Sequence, residues 1–375
     1  MGLLTGSLPD FPWDTLVPYG AKARAHPDGI VDLSVGTPVD PTPAVVRDAL
    51  AAAADAPGYP TTHGTAELRE AVAAWYARRR GVKDLDPVAV LPTVGSKELV
   101  AWLPSLLGLG AGDVVVHPET AYPTYDVGAR LAGATPLPAD HVGDWAGRDD
   151  VRLVWLNSPS NPTGAVLDVA ALREVVEAAR RIGAVVASDE CYALLAWDEP
   201  WLTGGVPSVL DPRVSGGSHD GLLAVHSLSK QSNLAGYRAA WVAGDPHLVG
   251  RLLEVRKHAG MMVPAPVQAA MVAALGDDEH VRVQHERYRR RRALLLEAFD
   301  VAGLVVEPSP AGLYLWVRAA GAGQDCWQTV ADLAELGILV APGSFYGAAA
   351  ARHVRVALTA SDEAVVKAAA RLTGA

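Results

Sequence analysis

The sequence predicts an α/β fold with a mostly parallel central sheet sandwiched by helices, and a smaller α+β domain. Short apolar runs alternate with longer helical patterns through the middle of the chain. The runs are almost continuously apolar, which is typical of strands covered on both faces. After about residue 268 the alternation stops, and strands and helices follow in no strict order. The 375 residues, 50% of them hydrophobic, suffice for more than one domain with a large core.

Six apolar runs predict the strands of the large domain, at 88–91, 114–117, 151–156, 184–188, 222–226 and 239–243. Four helical patterns lie among them, at 97–107, 125–132, 169–181 and 247–257. Strands that alternate with helices favour parallel pairing, since each helix returns the chain to the same edge of the sheet.

The remainder of the chain predicts the smaller domain. One long helix is expected over 268–299, then strands at 304–306 and 313–317, a helix at 327–336, strands at 338–340 and 354–357, and a last helix from Asp362. The N-terminal segment up to Pro43 is rich in Pro and Gly and is expected to pack against this part. The predicted division is a large domain at 44–267 and a small domain formed by 1–43 with 268–375.

Composition excludes several classes of function. The net charge of −10 argues against a nucleic-acid partner, and we interpret the basic run 289–292 as a solvated helix face. Two cysteines imply no disulfide framework. Residues 1–14 lack the pattern of a signal peptide, and no apolar stretch approaches the length of a membrane span. These features predict a cytoplasmic protein with no membrane partner, and no metal is expected in its site.

The most informative stretch is Ser227-Leu228-Ser229-Lys230, with Arg238 eight positions after the lysine. A lysine that forms a Schiff base needs a cofactor aldehyde, and pyridoxal 5′-phosphate (PLP) is such a cofactor. Ser227, Ser229 and Arg238 would bind its phosphate, the arginine through a planar charged fork. The alternative is a solvated lysine in a Ser-rich turn, and this string alone does not separate the two.

Two polar segments at predicted strand ends would serve the cofactor ring. Asn161, in an Asn-Pro-Thr-Gly string, would face the ring hydroxyl oxygen, and Tyr192 would donate to the same oxygen. Asp189 ends a strand, where ligands bind in open α/β sheets, and would keep the pyridine nitrogen protonated. The plainer alternatives are a Pro-rich turn around Asn161 and a helix N-cap at Asp189.

Other candidates surround these segments. Gly95 joins a strand to a helix, so the free N–H groups at Ser96 and Lys97 would form a phosphate seat. The chain has no GxGxxG and no GxxxxGK[ST], which leaves a dinucleotide or P-loop assignment without support. Tyr122 could stack on the ring. Arg355 could grip a substrate carboxylate, although a surface arginine on a strand is the commoner case.

In this order along the chain, the motifs resemble those of class I/II aminotransferases of PLP fold type I. The resemblance extends over nearly the whole chain and adds Gly36-Thr37-Pro38 and Tyr59 with Gly64. It implies PLP as cofactor and amino acids and 2-oxo acids as substrates. Many relatives carry an aromatic residue where this chain has Ser232, and often Gly where it has Ala240, so a particular subgroup is indicated.

The family resemblance implies a role for each matching residue. Lys230 would hold the cofactor and move the proton between the substrate and the cofactor. Tyr59 would reach the phosphate of the neighbouring subunit, which implies a homodimer with shared active sites. The implied catalytic residues are Lys230, Asp189 and Tyr192, and the implied substrate-binding residues are Gly36, Asn161 and Arg355.

Four strings, at 11–16, 31–40, 256–266 and 337–343, are similar to those of bacterial N-succinyldiaminopimelate aminotransferases. This resemblance implies ping-pong exchange between glutamate/2-oxoglutarate and N-succinyl-2-amino-6-oxopimelate/N-succinyl-LL-2,6-diaminopimelate, in lysine and diaminopimelate biosynthesis. Candidate partners for the distal carboxylates are Lys97, Arg24, Lys257 and His258. A broad-specificity aminotransferase and a C–S lyase or decarboxylase on the same fold remain alternatives. A PLP-responsive regulator would need an added DNA-binding domain.

Overall fold

The computed structural model describes residues 8–9, 11–321 and 323–374. Residues 1–7, 10, 322 and 375 lie outside them, so the expectations for segment 1–14 and for the predicted small domain are covered only in part. The strands are β1 (Val31–Asp32), β2 (Val90–Val94), β3 (Val114–His117), β4 (Thr135–Pro138), β5 (Val151–Asn157), β6 (Val185–Asp189), β7 (Leu222–Ser227), β8 (Ala239–Gly244), β9 (Leu304–Val306), β10 (Tyr314–Ala319), β11 (Ile338–Leu339), β12 (Ala341–Pro342) and β13 (His353–Ala357). The helices are α1 (Val17–Arg24), α2 (Ala44–Ala52), α3 (Ala66–Trp75), α4 (Ser96–Leu106), α5 (Thr124–Ala132), α6 (Val169–Ile182), α7 (Trp201–Gly204), α8 (Pro212–Ser215), α9 (Leu228–Gln231), α10 (Pro246–Ala259), α11 (Ala265–Gly276), α12 (Glu279–Val301), α13 (Cys326–Glu335) and α14 (Asp362–Thr373). Among these helices, none is both long and apolar enough to cross a membrane.

The central sheet has seven strands in the order β2-β8-β7-β6-β5-β3-β4. Only β8 runs antiparallel to its neighbours, so the prediction of a mostly parallel sheet is confirmed. In the ladder Asn157 lies beside Asp189, and Asp189 lies beside Val225 of β7. The carboxyl ends of β5, β6 and β7 therefore meet at one edge of the sheet, where ligands bind in open α/β sheets.

Helices cover both faces of this sheet. Successive residues of a strand point to opposite faces, so Val114 and Val116 pack into one core and Val115 into the other. Helices α3, α6 and α11 fill the first core, and α4, α5 and α10 fill the second. The predicted helix–sheet–helix sandwich is confirmed.

A third core joins the two ends of the chain. It surrounds a sheet of four strands in the order β12-β13-β10-β9, with α12, α13 and α14. Residues Leu16, Ala23 and Leu33 from the N-terminal segment belong to it, and β1 pairs in parallel with β11. The division at residues 43/44 and 267/268 itself stays a prediction.

The prediction of one helix over 268–299 is wrong, because the chain breaks between α11 and α12. Asp277 is extended there, with φ −115° and ψ 111°. Its carboxylate accepts from the Glu279 backbone N–H at 2.9 Å and lies 3.0 Å from the His280 ring. Such local side-chain hydrogen bonds compete with the helix, and the preceding Gly276 is a poor helix former.

Strand β4 was not predicted, since Pro136 and Pro138 argue against a strand. It lies at the edge of the sheet, where proline is tolerated because one side of the strand needs no ladder hydrogen bonds. The strand predicted at 88–91 begins at Val90, because Asp86 caps a short 3₁₀ turn over Pro87–Ala89.

The interpretation of 289–292 as a solvated face is wrong for Arg291, which is buried. Its guanidinium binds Asp40 at 2.7 Å and Asp362 at 2.6 Å, and these ion pairs tie α12 to the N-terminal segment and to α14. Arg292 is half-buried and lies 3.2 Å from Asp198. Arg289 and Arg290 are exposed, as expected of a solvated face.

Candidate active site

A cavity of about 450 Å³ opens at the carboxyl ends of the parallel strands. It collects residues from segments that are more than 300 positions apart in the chain. All but two of the residues predicted to bind the cofactor or the α-carboxylate line it, Gly95 and Tyr59 being the exceptions. The lining residues among them are Gly36, Ser96, Lys97, Tyr122, Asn161, Asp189, Tyr192, Ser227, Ser229, Lys230, Arg238 and Arg355.

Lys230 lies on the short helix α9, directly after β7. Its ammonium group donates to the carbonyl oxygen of Gly36 at 2.5 Å. Burial lowers the pKa of Lys230, and the charges of Arg355 and Arg238 add to this effect while Tyr314 opposes it. A lowered pKa raises the fraction of neutral amine, which is the form that attacks an aldehyde.

Gly95 and Arg238 form a tight polar corner at the start of α4. Gly95 has φ 76° and ψ 158°, a conformation that only glycine adopts readily. A Cβ atom at this position would lie 2.0 Å from an Nη of Arg238. The glycine thus lets the guanidinium lie against the backbone just before α4, and the free N–H groups at the start of that helix favour an anion there.

Two serines complete this corner. The Ser227 and Ser229 hydroxyl groups lie 2.7 Å apart, and the Ser227 hydroxyl also accepts from the Ser229 backbone N–H at 3.1 Å. With Arg238 and the N–H groups of α4, they supply several donors at one point, which is the chemistry that a phosphate requires.

Asp189 is buried at the end of β6. Its carboxylate accepts from the Tyr125 hydroxyl at 3.0 Å and from the Cys191 backbone N–H at 3.2 Å. Burial raises the pKa of Asp189, and within the described residues no basic side chain forms an ion pair with it. A cationic ligand atom facing this carboxylate would be stabilised, as a pyridinium nitrogen would be.

Arg355 is buried on β13 and is not the surface arginine of the alternative interpretation. It donates to the Asn161 side-chain oxygen at 3.0 Å and to the Ser34 carbonyl oxygen at 2.6 Å. Its guanidinium carbon lies 4.0 Å from the Tyr314 ring centroid. Its Nε finds no hydrogen-bond acceptor among residues 8–9, 11–321 and 323–374. The guanidinium therefore retains capacity for a carboxylate ligand.

Sequence reasoning missed two tyrosines of the site. Tyr125 was noted only as the start of a helix, yet its hydroxyl binds Asp189. Tyr314 lines the cavity, and its hydroxyl lies 3.2 Å from that of Tyr192. Gly36 is needed at its position because a Cβ there would lie 2.2 Å from the Tyr314 hydroxyl oxygen. No local motif marks either tyrosine, since the contacts join segments far apart in sequence.

Several predicted residues stand apart from the cavity. Tyr59 is 96% exposed, so its predicted role at a neighbouring subunit is not tested by a single chain. Of the four candidates for distal carboxylates, only Lys97 lines the cavity. Arg24, Lys257 and His258 are exposed elsewhere on the surface.

Comparison with known proteins identifies the family. The family model described as aminotransferase class I and II matches residues 28–372. The chain belongs to this family. A 4-dedimethylamino-4-oxo-anhydrotetracycline transaminase from Streptomyces rimosus is 61% identical, over 98% of this chain and 99% of that protein. An LL-diaminopimelate aminotransferase from Dehalococcoides mccartyi is 32% identical, over 94% of this chain and 93% of that protein. The solved structure of a probable N-succinyldiaminopimelate aminotransferase from Thermus thermophilus superposes with a TM-score of 0.85 at 31% identity, over 97% of this chain and all of that one.

Class I and II aminotransferases depend on PLP, and the residues of this aminotransferase fit that cofactor. The donors beside Gly95 match a phosphate, and the buried carboxylate of Asp189 matches a pyridinium nitrogen. Lys230 lies in the same cavity with a lowered pKa, as a lysine that binds the aldehyde requires. The PLP fold type I expected from the sequence is confirmed.

Proposed function

We propose that this aminotransferase exchanges amino groups between glutamate/2-oxoglutarate and N-succinyl-2-amino-6-oxopimelate/N-succinyl-LL-2,6-diaminopimelate. It would act as a cytoplasmic homodimer, with Tyr59 reaching the phosphate site of the neighbouring subunit. The similarity to the Thermus thermophilus protein and to LL-diaminopimelate aminotransferases supports the substrate class. The observation that carries the proposal is the buried guanidinium of Arg355 beside Lys230, with Lys97 as a further cation in the same cavity.

The residues around the cavity divide into two ends in this proposal. Ser227, Ser229, Arg238 and the Gly95–Lys97 turn hold the phosphate of the cofactor. Asp189 pairs with the pyridine nitrogen, Asn161 and Tyr192 face the ring oxygen, and Tyr122 lies against the ring. Tyr125 is not itself a ligand and orients the Asp189 carboxylate through its hydroxyl.

Bound PLP stabilises the negative charge left at the substrate Cα when its proton is removed. Lys230 is the base that takes and returns this proton, because burial lowers its pKa and so raises the fraction of neutral amine. The hydrogen bond from Lys230 to the Gly36 carbonyl oxygen orients the amine toward the cavity.

Arg355 binds the α-carboxylate shared by all the proposed substrates. A guanidinium binds a carboxylate through two parallel hydrogen bonds, which also fixes the direction of the Cα–H bond. Asn161 and Ser34 hold the guanidinium from one side and the Tyr314 ring from another. The substrate is thereby oriented toward Lys230.

The distal carboxylates require a second cation. Basic residues among the described lining of the cavity are Lys97, Lys230, Arg238 and Arg355. Three of these have roles at the cofactor or at the α-carboxylate, which leaves Lys97. Lys97 is exposed in the first turn of α4 and forms no ion pair with another described residue, so its ammonium is available to a long dicarboxylic substrate.

A second candidate substrate is a flat polycyclic ketone. The Streptomyces rimosus relative is a transaminase of an anhydrotetracycline. In this chain Phe11 is 58% exposed at the cavity and stacks on Trp13 with ring centroids 5.9 Å apart. Such an aromatic pair would bind a planar ring system.

The experiment that tests the proposal is an acceptor screen with glutamate-loaded holoenzyme. We expect a higher kcat/KM for N-succinyl-2-amino-6-oxopimelate than for oxaloacetate, phenylpyruvate or 4-dedimethylamino-4-oxo-anhydrotetracycline. Preference for the last compound would replace the first proposal by the second.

Variants sharpen the screen. We expect Lys97→Met to lower kcat/KM for the succinylated acceptor about fivefold, as for one exposed charge pair, with little effect on phenylpyruvate. Lys257→Met is the matched control, because Lys257 is exposed away from the cavity. Equal effects of the two variants would remove Lys97 from the substrate site.

A further inference from the structure

Tyr314 joins the carboxylate-binding side of the cavity to its cofactor side. It is the first residue of β10 and only 3% of its surface is exposed. In the ladder with β13, Trp316 pairs with Arg355 and Tyr314 pairs with Ala357. Paired residues share one face of a sheet, as do residues two apart in a strand. The fold thus places Tyr314 and Arg355 as diagonal neighbours on the face that looks into the cavity.

We propose that Tyr314 is a positioning residue for transamination, whose ring fixes the Arg355 guanidinium and whose hydroxyl group orients the Tyr192 hydroxyl. The inference rests on the placement of Tyr192 at the cofactor ring oxygen under the proposed function. It does not depend on the identity of the second substrate.

The first contact is between the Tyr314 ring and Arg355. The guanidinium carbon lies 4.0 Å from the ring centroid, within the range of a strong cation–π contact. Asn161 and Ser34 bind two of the guanidinium nitrogens. The ring closes a further side, so the plane of the guanidinium is set before a substrate carboxylate arrives. Removing the ring would let the guanidinium move.

The second contact is between two hydroxyl groups. The Tyr314 and Tyr192 oxygens lie 3.2 Å apart, and the two rings meet edge to face with centroids separated by 5.7 Å. Tyr192 has one proton and can donate it to only one acceptor. When that acceptor is the cofactor ring oxygen, the hydrogen bond between the tyrosines requires Tyr314 as donor. A donor behind Tyr192 makes Tyr192 itself a stronger donor.

The surrounding charges fit this direction of donation. Burial alone would raise the pKa of Tyr314, but the positive charges of Arg355 and Lys230, together with the hydrogen bond to Tyr192, lower it below its ordinary value. Burial raises the pKa of Tyr192 well above its ordinary value. The Arg355 guanidinium, 4.0 Å from the Tyr314 ring centroid, strengthens the Tyr314 hydroxyl group as a donor. The titratable groups that face Tyr314 are Tyr122, Cys191, Tyr192, Lys230, Tyr288, Tyr346 and Arg355.

Two substitutions separate the hydroxyl group from the ring. Tyr314→Phe keeps the ring beside Arg355 and removes the donor to Tyr192. The negative charge of the cofactor ring oxygen is then less stabilised, so the pKa of the visible absorbance band of the lysine-bound cofactor should rise by about half a unit. KM for glutamate should stay within about twofold, because the ring contact with Arg355 remains.

Tyr314→Leu also removes the ring. We expect the same rise in the pKa of the band and, in addition, an increase of about tenfold in KM for glutamate. Tyr346→Phe is the matched control, since the Tyr346 hydroxyl is buried with no hydrogen-bond partner among the described residues. Its absorbance titration should coincide with that of the wild type.

Tyr192→Phe, titrated in parallel, separates failure of this inference from failure of the cofactor placement. A rise in the pKa of the band in both the Tyr192 and Tyr314 variants supports the inference. A rise in Tyr192→Phe with none in Tyr314→Phe overturns it and leaves the placement intact. If neither variant shifts the band, the placement of Tyr192 is wrong and the inference fails with it.

Discussion

Replacing Gly95 by alanine should separate cofactor affinity from protein stability. The glycine has φ 76° and ψ 158°, where a Cβ atom costs about 1–3 kcal/mol of backbone strain. The same Cβ would lie 2.0 Å from an Nη of Arg238. That atom is the end of a flexible side chain, so the arginine can swing away with little further loss of stability. It then leaves the phosphate corner.

Movement of Arg238 out of the phosphate corner should weaken the binding of the cofactor. A hydrogen bond to a charged group contributes about 1.5–3 kcal/mol, so loss of the Arg238 contact should weaken PLP binding by roughly 10- to 100-fold. Titration of the apoenzyme with PLP, followed by absorbance, measures the Kd. Urea unfolding of the apoenzyme measures the loss of stability.

Gly205 provides the matched control. It has nearly the same conformation, with φ 75° and ψ 155°, and a Cβ there would meet no heavy atom within 4 Å. Gly205→Ala should therefore show a similar backbone strain and an unchanged Kd for PLP. A Kd for Gly95→Ala within twofold of that for Gly205→Ala would refute the role of Arg238 at the phosphate.

Two further predictions concern buried charge. His226 is fully buried, and burial together with the nearby charge of Arg80 lowers its pKa from 6.5 to about 3. Below pH 6.5 the unfolded chain therefore binds a proton at this histidine that the folded chain does not bind. The free energy of unfolding should fall as the pH drops from 6.5 toward 3, and His226→Phe should remove about 2 kcal/mol of the loss between pH 7 and pH 5. If urea unfolding of the variant and of the wild type lost the same free energy between these two pH values, the prediction would be wrong. Arg291→Met leaves Asp40 without its buried partner and should lower the free energy of unfolding by about 3 kcal/mol. Arg289→Met is the control, because Arg289 pairs with Glu286 on the exposed surface, and its free energy of unfolding should change by less than about 0.5 kcal/mol. Equal urea midpoints for the two variants would contradict the predicted difference in their stability.

Local patterns carried most of the fold prediction. Strands covered on both faces are continuous apolar runs, and for that reason β3, β5, β6, β7 and β8 were found within two residues of their ends. The failures have local causes too. The prolines of β4 hide a strand that only its edge position allows, and the Gly-Asp-Asp at 276–278 was passed over in favour of a continuous helical pattern.

For the site, too, local motifs decide which residues could be predicted from the sequence. Lys230 and Asp189 lie in sequence motifs whose residue types indicate a cofactor site, and both residues line one cavity in the structure. Tyr314 and Tyr125 have no such strings, because their contacts depend on how β10 and α5 lie against the central sheet. Arg291 was misjudged because the four consecutive arginines of α12 point in different directions, and only the fold shows that this one is buried.

The identity of the cofactor-binding lysine is the most direct test of the account. Holoenzyme reduced with borohydride fixes the cofactor to the lysine that holds it, and peptide mapping by mass spectrometry then locates the label. We expect a pyridoxyl group on Lys230 and no label in Lys230→Ala prepared in the same way. A label on another lysine of the cavity, Lys97 above all, or an equally labelled Lys230→Ala variant would contradict it.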